Sequence, residues 1–171
     1  MLAALQAGAS GVPFTPVPGL LGSDLLRVRP DYRVIVNPFD REEQVVVVPA
    51  IRPDIALLHA VRAAPTGAAI FSVHGDAVML AQASRTVIVT AEQVYDGAAA
   101  VLAPDERLLA GIYVDVLVAA PNGCWPLGLR GHYGPDETAL AAYLLAARTS
   151  ESFATYLRAF VEPAATMAGS R

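Results

Sequence analysis

Short apolar runs separated by turn residues dominate the chain. Residues 33–36, 44–48, 54–61, 68–73, 86–90 and 114–119 are largely apolar, and several are rich in β-branched residues. Asn37-Pro38 stops the first run and Pro49 the second. Such runs are the pattern of strands buried on both faces, as in a parallel or mixed sheet covered by helices. Between 68–73 and 86–90 the apolar positions change period. Ala77, Met79, Leu80 and Ala83 predict a helix over residues 76–84. Strand, helix and strand with short joints read as a βαβ unit, right-handed by default. After Pro135, Asp136 opens a longer helix over residues 138–148. Ser150 or Ser152 begins another through Phe153, Tyr156, Leu157 and Phe160, and Pro163 stops it. These elements predict one α/β domain over residues 1–171, a mostly parallel open sheet with the helices 76–84 and 138–148 packed on it.

The ends of the pattern are less regular. Residues 1–8 are alanine-rich and read as the last turns of a helix whose beginning lies outside the chain. Pro13, Pro16, Pro18 and Gly19 rule out a regular helix over 11–21, which reads as an extended loop ending in Gly22-Ser23-Asp24. Residues 164–171 are small and polar, and are expected to form a flexible tail.

Composition narrows the classes. Hydrophobic residues make up 54% of the 171 and charged residues only 16%, so part of the apolar surface is expected to meet another subunit. Global disorder is excluded by the same balance. Net charge is −4, every basic residue is arginine, and no basic stripe exists to neutralise nucleic-acid phosphates. Without lysine there is no Schiff-base chemistry. No stretch reaches the roughly 20 apolar residues of a membrane span. No charged leader precedes an apolar core at the N-terminus, and a cytoplasmic location is the expectation.

The usual catalytic arrangements do not form in the sequence. His59, His74 and His132 lack metal-ligand spacing and read as individually satisfied polar residues. The glycines at 8, 11, 19 and 22 are split by prolines and do not make a nucleotide-binding loop. Cys124, the single cysteine, can form no disulfide within the chain. It lies in Pro121-Asn122-Gly123-Cys124-Trp125-Pro126, where no neighbour supplies an activating base, so it reads as part of a turn. Asp24, Asp54, Glu92 and Asp136 fall near element ends and read as caps of helices or loops.

The order of several short motifs carries more. Gly11-Val12-Pro13-Phe14-Thr15-Pro16-Val17 is followed by Leu21-Gly22-Ser23-Asp24, then by Asn37-Pro38-Phe39. Next comes Val48-Pro49-Ala50-Ile51-Arg52-Pro53-Asp54, continuing through Leu58-His59-Ala60. Val87-Ile88-Val89-Thr90 with Glu92, and Gly131-His132-Tyr133 with Asp136, complete the series. From about Gly11 to Phe160 this order resembles the A (alpha) subunit of family I coenzyme A transferases, in the glutaconate CoA-transferase-like branch. Two features depart from it. The family's N-terminal βαβ region and glycine-rich loop are missing, which is expected to leave a sheet edge for a partner to cover. Ala64 and Ala68 stand where members commonly carry Asp and Asn, and Pro18 where many carry Arg.

The resemblance implies a coenzyme A thioester as substrate and no permanently bound cofactor or metal. In the heteromeric branch the acyl-CoA is attacked by a glutamate of the B subunit, and the glutamyl-CoA thioester divides a hard exchange into easier steps. Glu42, Glu43, Glu92, Glu106, Glu137, Glu151 and Glu162 do not lie in that motif. No catalytic residue is therefore assigned to this chain. Its expected share is part of the substrate pocket wall, with Ser23 and Asp24 the best-placed residues. A hetero-oligomer with a B-type subunit follows, with the chain inactive alone. Two alternatives stay open: a subunit of a ring-opening hydrolase acting on CoA thioesters, and a shortened, non-catalytic structural subunit.

Overall fold

The computed structural model describes residues 2–95 and 102–160. They fall into two compact units divided between Gly123 and Cys124. The expected tail, 164–171, lies outside the described residues, as does the stop at Pro163.

The first unit opens with helix α1 (Leu2–Ala9), strand β1 (Phe14–Val17) and a single helical turn, α2 (Leu25–Val28). Strands β2 (Arg33–Asn37) and β3 (Asp40–Pro49) form a hairpin. Its turn is closed by Asn37, whose Oδ1 accepts from the Phe39 N–H at 3.0 Å. β1 adds antiparallel to the other side of β3, giving a three-stranded sheet ordered β1-β3-β2. The segment expected as loop therefore contains a strand. Pro16 is tolerated because β1 is an edge, where a missing N–H breaks no ladder. The valine run of β3 is not buried on both faces. Val46 and Val48 are buried, while Val45 and Val47 line an open cleft of about 320 Å³ with Phe14, Pro16, Ile35, Asn37, Pro38 and Phe39. Phe39 is 96% exposed.

The second sheet has five strands in the order β7-β5-β4-β6-β8. They are β4 (Ile55–Ala63), β5 (Ala69–Ser72), β6 (Thr86–Val94), β7 (Glu106–Leu109) and β8 (Val116–Ala119). The predicted α/β class holds, and the chain carries sheets flanked by helices. Parallel pairing runs along β4-β6-β8, while β4-β5 and β5-β7 are antiparallel. The strand-helix-strand reading needs one correction. β5 returns antiparallel to β4, so the parallel partner of β6 is β4, one strand earlier than expected. The cause is the Ala64–Ala68 turn, closed by Ala64 N–H to Ala68 O at 2.8 Å and Gly67 N–H to Ala64 O at 2.9 Å. Gly67 has φ +87°, a conformation that only glycine adopts without strain.

One face of this sheet is the core. Ala56, Leu58, Ala60, Val87, Val89 and Ala91 are buried there, and helix α3 (Ala77–Ala83) packs Ala77, Val78, Leu80 and Ala81 against them. Small residues on β4 and β6 let the helix approach closely. Alternation puts Ile55, Leu57, His59, Ile88, Thr90 and Glu92 on the other face. That face is partly open: Ile55 is 61% and Leu57 70% exposed.

In the second unit, α4 (Glu137–Ala146) and α5 (Ser150–Phe160) occupy the two later helical stretches. Asp136 caps α4, accepting from the Ala139 N–H at 2.9 Å. Tyr143, Phe153, Tyr156 and Phe160 form a chain of aromatic contacts with centroids 4.8–6.4 Å apart. No residue of α4 or α5 is fully buried.

Candidate functional site

Open sheets with parallel strands bind ligands in the crevice beyond the strands' carboxyl ends. Here the carboxyl halves of β4 and β6 gather the polar side chains of the outer face. The parallel register sets His59 beside Thr90. Glu92, two residues on, points to the same side. His59 Nε2 meets Glu92 Oε1 at 2.9 Å, and His59 Nδ1 meets Thr90 Oγ1 at 2.8 Å. Glu92 Oε2 accepts from the Asn122 N–H at 2.7 Å, which ties the end of β6 to the loop leaving β8. The His59 and Glu92 side chains are only 14% and 11% exposed.

The loop is shaped to fit. Ala120 N–H continues the ladder to Ala91 O at 2.8 Å, and Gly123 N–H closes a turn on Ala120 O at 3.0 Å. Asn122 takes φ +58°, a left-handed conformation that asparagine tolerates better than most residues. Gly123 approaches the imidazole closely: a Cβ there would fall 2.5 Å from His59 Cε1. A shorter network crosses the other side of the sheet. Arg62 of β4 pairs bidentately with Glu106 of β7, at 2.6 and 2.7 Å.

A histidine oriented by a carboxylate is a familiar general base, but its second nitrogen must be available to substrate. Here that nitrogen is spent on Thr90, and the edge between the two nitrogens is covered by Gly123. Sequence spacing did not join these residues; only the parallel register does. Glu92 caps a loop, as its position near an element end suggested. His59 is satisfied, as expected, though by two partners rather than alone.

Ser23 and Asp24 lie on a different loop of the first unit. Ser23 Oγ is enclosed and has no hydrogen-bond partner among the described residues. Asp24 is exposed and paired with Arg27, one helical turn on. Farther along, Arg29 grips Asp31 at 2.9 and 2.7 Å, and that hydrogen bond holds the Asp31 carboxyl below its ordinary range. Arg52 Nη2 donates to Gly11 O at 3.1 Å, anchoring the start of the proline-rich segment. Asp54 faces Arg85 at 3.7 Å on the surface. In the second unit, Cys124 N–H donates to Tyr133 Oη at 3.0 Å, so its segment is the turn that the sequence suggested. No cluster that could hold a metal ion occurs among the described residues, and no helix among them is long and apolar enough to cross a membrane.

Comparison with known proteins identifies relatives. A sequence profile described as coenzyme A transferase matches residues 1–120. The A subunit of glutaconate CoA-transferase from Acidaminococcus fermentans is 33% identical over 91% of this chain and 54% of its own length. The A subunit of 3-oxoadipate CoA-transferase from Pseudomonas knackmussii is 31% identical over the same shares, 91% and 54%. The cholesterol ring-cleaving hydrolase IpdA subunit of Rhodococcus jostii is 28% identical over 90% of this chain and 56% of its own. Among solved structures, Acidaminococcus fermentans glutaconate coenzyme A-transferase superposes with TM-score 0.77 and 28% identity, over 92% of this chain and 55% of that one. A variant of the decarboxylase AibA/AibB gives TM-score 0.75 and 34% identity, over 92% and 58%. The chain thus spans about half the length of the curated relatives that it matches.

Proposed function

The chain belongs to the coenzyme A transferase family, and from that premise we propose that it is an A-type subunit of an enzyme moving CoA between an acyl-CoA and a carboxylic acid. The observation that carries the proposal is the likeness to the A subunits of two CoA-transferases over 91% of the chain. The attacking glutamate belongs to a B-type partner. Support comes from the carboxylates that the structure describes. Glu92 is engaged by His59 and Asn122, and Glu106 by Arg62, which favours a structural role for these two. Ser23 and Asp24 contribute to the pocket wall. The enclosed Ser23 hydroxyl, unpartnered among the described residues, is a group that a ligand could satisfy. The proposal carries with it a cytoplasmic location and no permanently bound cofactor.

Association is supported by the outer face of the five-stranded sheet. Leu57, Ile88 and Val116 stand in one register row across β4, β6 and β8. Leu57 and Val116, with Ile55 and Val118 beside them, are exposed. Contiguous apolar surface on a sheet face is characteristic of an interface. The test is an assay of CoA exchange between an acyl-CoA and free acids, with the chain alone, a B-type chain alone, and both. Turnover only in the mixture is expected. Robust turnover by a monomer of this chain would refute the division of labour.

A second reading has its own support. The IpdA subunit of the ring-cleaving hydrolase and the decarboxylase AibA/AibB are relatives of similar likeness and different chemistry. Hydrolytic opening of a ring in the acyl group of a CoA thioester by the mixture, with the thioester retained and no CoA exchange, would favour it over transfer.

A further inference from the structure

We propose that Glu92 and His59 are positioning residues that fix the 120–123 loop at the carboxyl end of the parallel strands, and that neither touches substrate. The geometry assigns each polar atom of the pair. The Glu92 carboxylate accepts from His59 Nε2 at 2.9 Å on one oxygen and from the Asn122 N–H at 2.7 Å on the other. An ionised carboxylate only accepts, so Nε2 carries a proton. Nδ1 then faces Thr90 Oγ1 at 2.8 Å, and the Thr90 hydroxyl has a second outlet in Leu58 O at 3.3 Å. The third edge of the ring, Cε1, is pressed on Gly123. Both ring nitrogens and both carboxylate oxygens are thus engaged with the protein. Beyond its own strands, the pair grips the backbone of the loop at Asn122.

The Thr90 hydroxyl can serve either neutral tautomer of the ring. In one, His59 is protonated on Nε2, and Thr90 donates to Nδ1. In the other, His59 is protonated on Nδ1 and donates to Thr90 Oγ1, while the Thr90 hydroxyl donates to Leu58 O. The second arrangement leaves Nε2 as an acceptor. That is what a glutamine at position 92 requires. Its carbonyl accepts from Asn122 N–H, and its amide N–H donates to His59 Nε2. Glu92→Gln removes the charge and all capacity for base or nucleophile chemistry, yet each of these hydrogen bonds can be remade by moving one proton across the ring. Glu92→Ala remakes none of them.

The pair of variants separates positioning from catalysis. The full chain, with its partner if one co-purifies, is followed by hydrogen exchange at the Asn122 amide and by 15N NMR of the His59 ring. Wild type is expected to show the Nε2-protonated ring and a protected Asn122. E92Q should keep that protection while the ring proton moves to Nδ1. E92A should exchange Asn122 at least about tenfold faster, the equivalent of one lost hydrogen bond. An E92Q that loses Asn122 protection as fully as E92A, or that does not fold, overturns the proposal, because the isosteric replacement can supply the same bonds. If E92A does not fold, the E92Q comparison alone decides. The activity arm rests on the transferase reading. There E92Q should keep turnover within about tenfold, whereas removing a general base costs about 10²–10⁴. An E92Q with an intact loop and a loss of that size would show that Glu92 acts on substrate. If wild type itself moves no CoA, the transferase reading fails, and the exchange and NMR arms still decide the role of the pair.

Discussion

Gly123→Ala is the sharpest structural probe of the strand-end network. The added methyl carbon would lie 2.5 Å from His59 Cε1, 2.8 Å from Ala120 O and 2.9 Å from His59 Nδ1. Carbon–carbon contacts settle near 3.5–4.0 Å, so the ring must retreat by about 1 Å. Its two bonds, at 2.8 and 2.9 Å, cannot both survive such a shift. A neutral hydrogen bond contributes about 1 kcal/mol and one to a charged group about 1.5–3 kcal/mol. Alanine returns about 0.4–1 kcal/mol by restricting the unfolded chain. With both bonds lost the net loss is about 2–3 kcal/mol, or about 4–12 °C in Tm for a chain of this size. Thermal unfolding measured by circular dichroism reads it directly. Gly75→Ala is the control, because a Cβ there meets nothing within 4 Å. In a His59→Ala background the part of the Gly123→Ala penalty owed to the ring should vanish, while the part owed to the Ala120 carbonyl, 2.8 Å away, should remain. A Gly123→Ala protein with the Tm and His59 ring signals of the parent would refute the reasoning.

Three further outcomes are expected. Cys124→Ser should leave any activity within a few-fold of the parent, because the cysteine's contact in the structure is its backbone N–H on Tyr133; abolished turnover would reveal a nucleophile. Ile70→Ala removes a side chain with 0% exposure and should cost about 2–5 kcal/mol, read from chemical denaturation. The Asp136 carboxyl is held below its ordinary value of 3.8, first by the Ala139 N–H and then by the Trp125 side chain. A depressed folded-state pKa means that its contribution is present above the unfolded value and is lost as pH falls through the folded one. NMR of the α4 amide signals should show that loss on acidification below pH about 4, and Asp136→Asn should remove the pH dependence.

The class of the fold was legible because β-branched runs cannot be mistaken for helix when turn residues bound them at strand length. Residues 44–48 and 86–90 illustrate this, and the 76–84 helix follows from the change of period between them. The βαβ connection departs from the sequence pattern at one place. Pro65-Thr66-Gly67 is a hairpin turn, with proline early and glycine late, and it makes β5 a return strand. Burial was read as two-sided because an apolar run looks the same whether its second face meets the same chain or is left open. Leu57, at 70% exposure, marks the difference. The His59–Glu92 network was hidden for a different reason. The two residues are 33 positions apart, and nothing in their spacing announces a parallel register. Once β4 and β6 pair, both fall on the outer face. Ser23 and Asp24 came from the resemblance, and the structure leaves them on their own loop.

On the proposed function, the glutamate that accepts the acyl group sits on another subunit. That placement is tested most directly by finding where the covalent intermediate forms. The complex with a B-type chain is incubated with an acyl-CoA, quenched, and each chain weighed by intact-mass spectrometry. A CoA adduct on a glutamate of the partner and an unmodified mass for this chain are expected. A CoA adduct on any glutamate of this chain would contradict that placement.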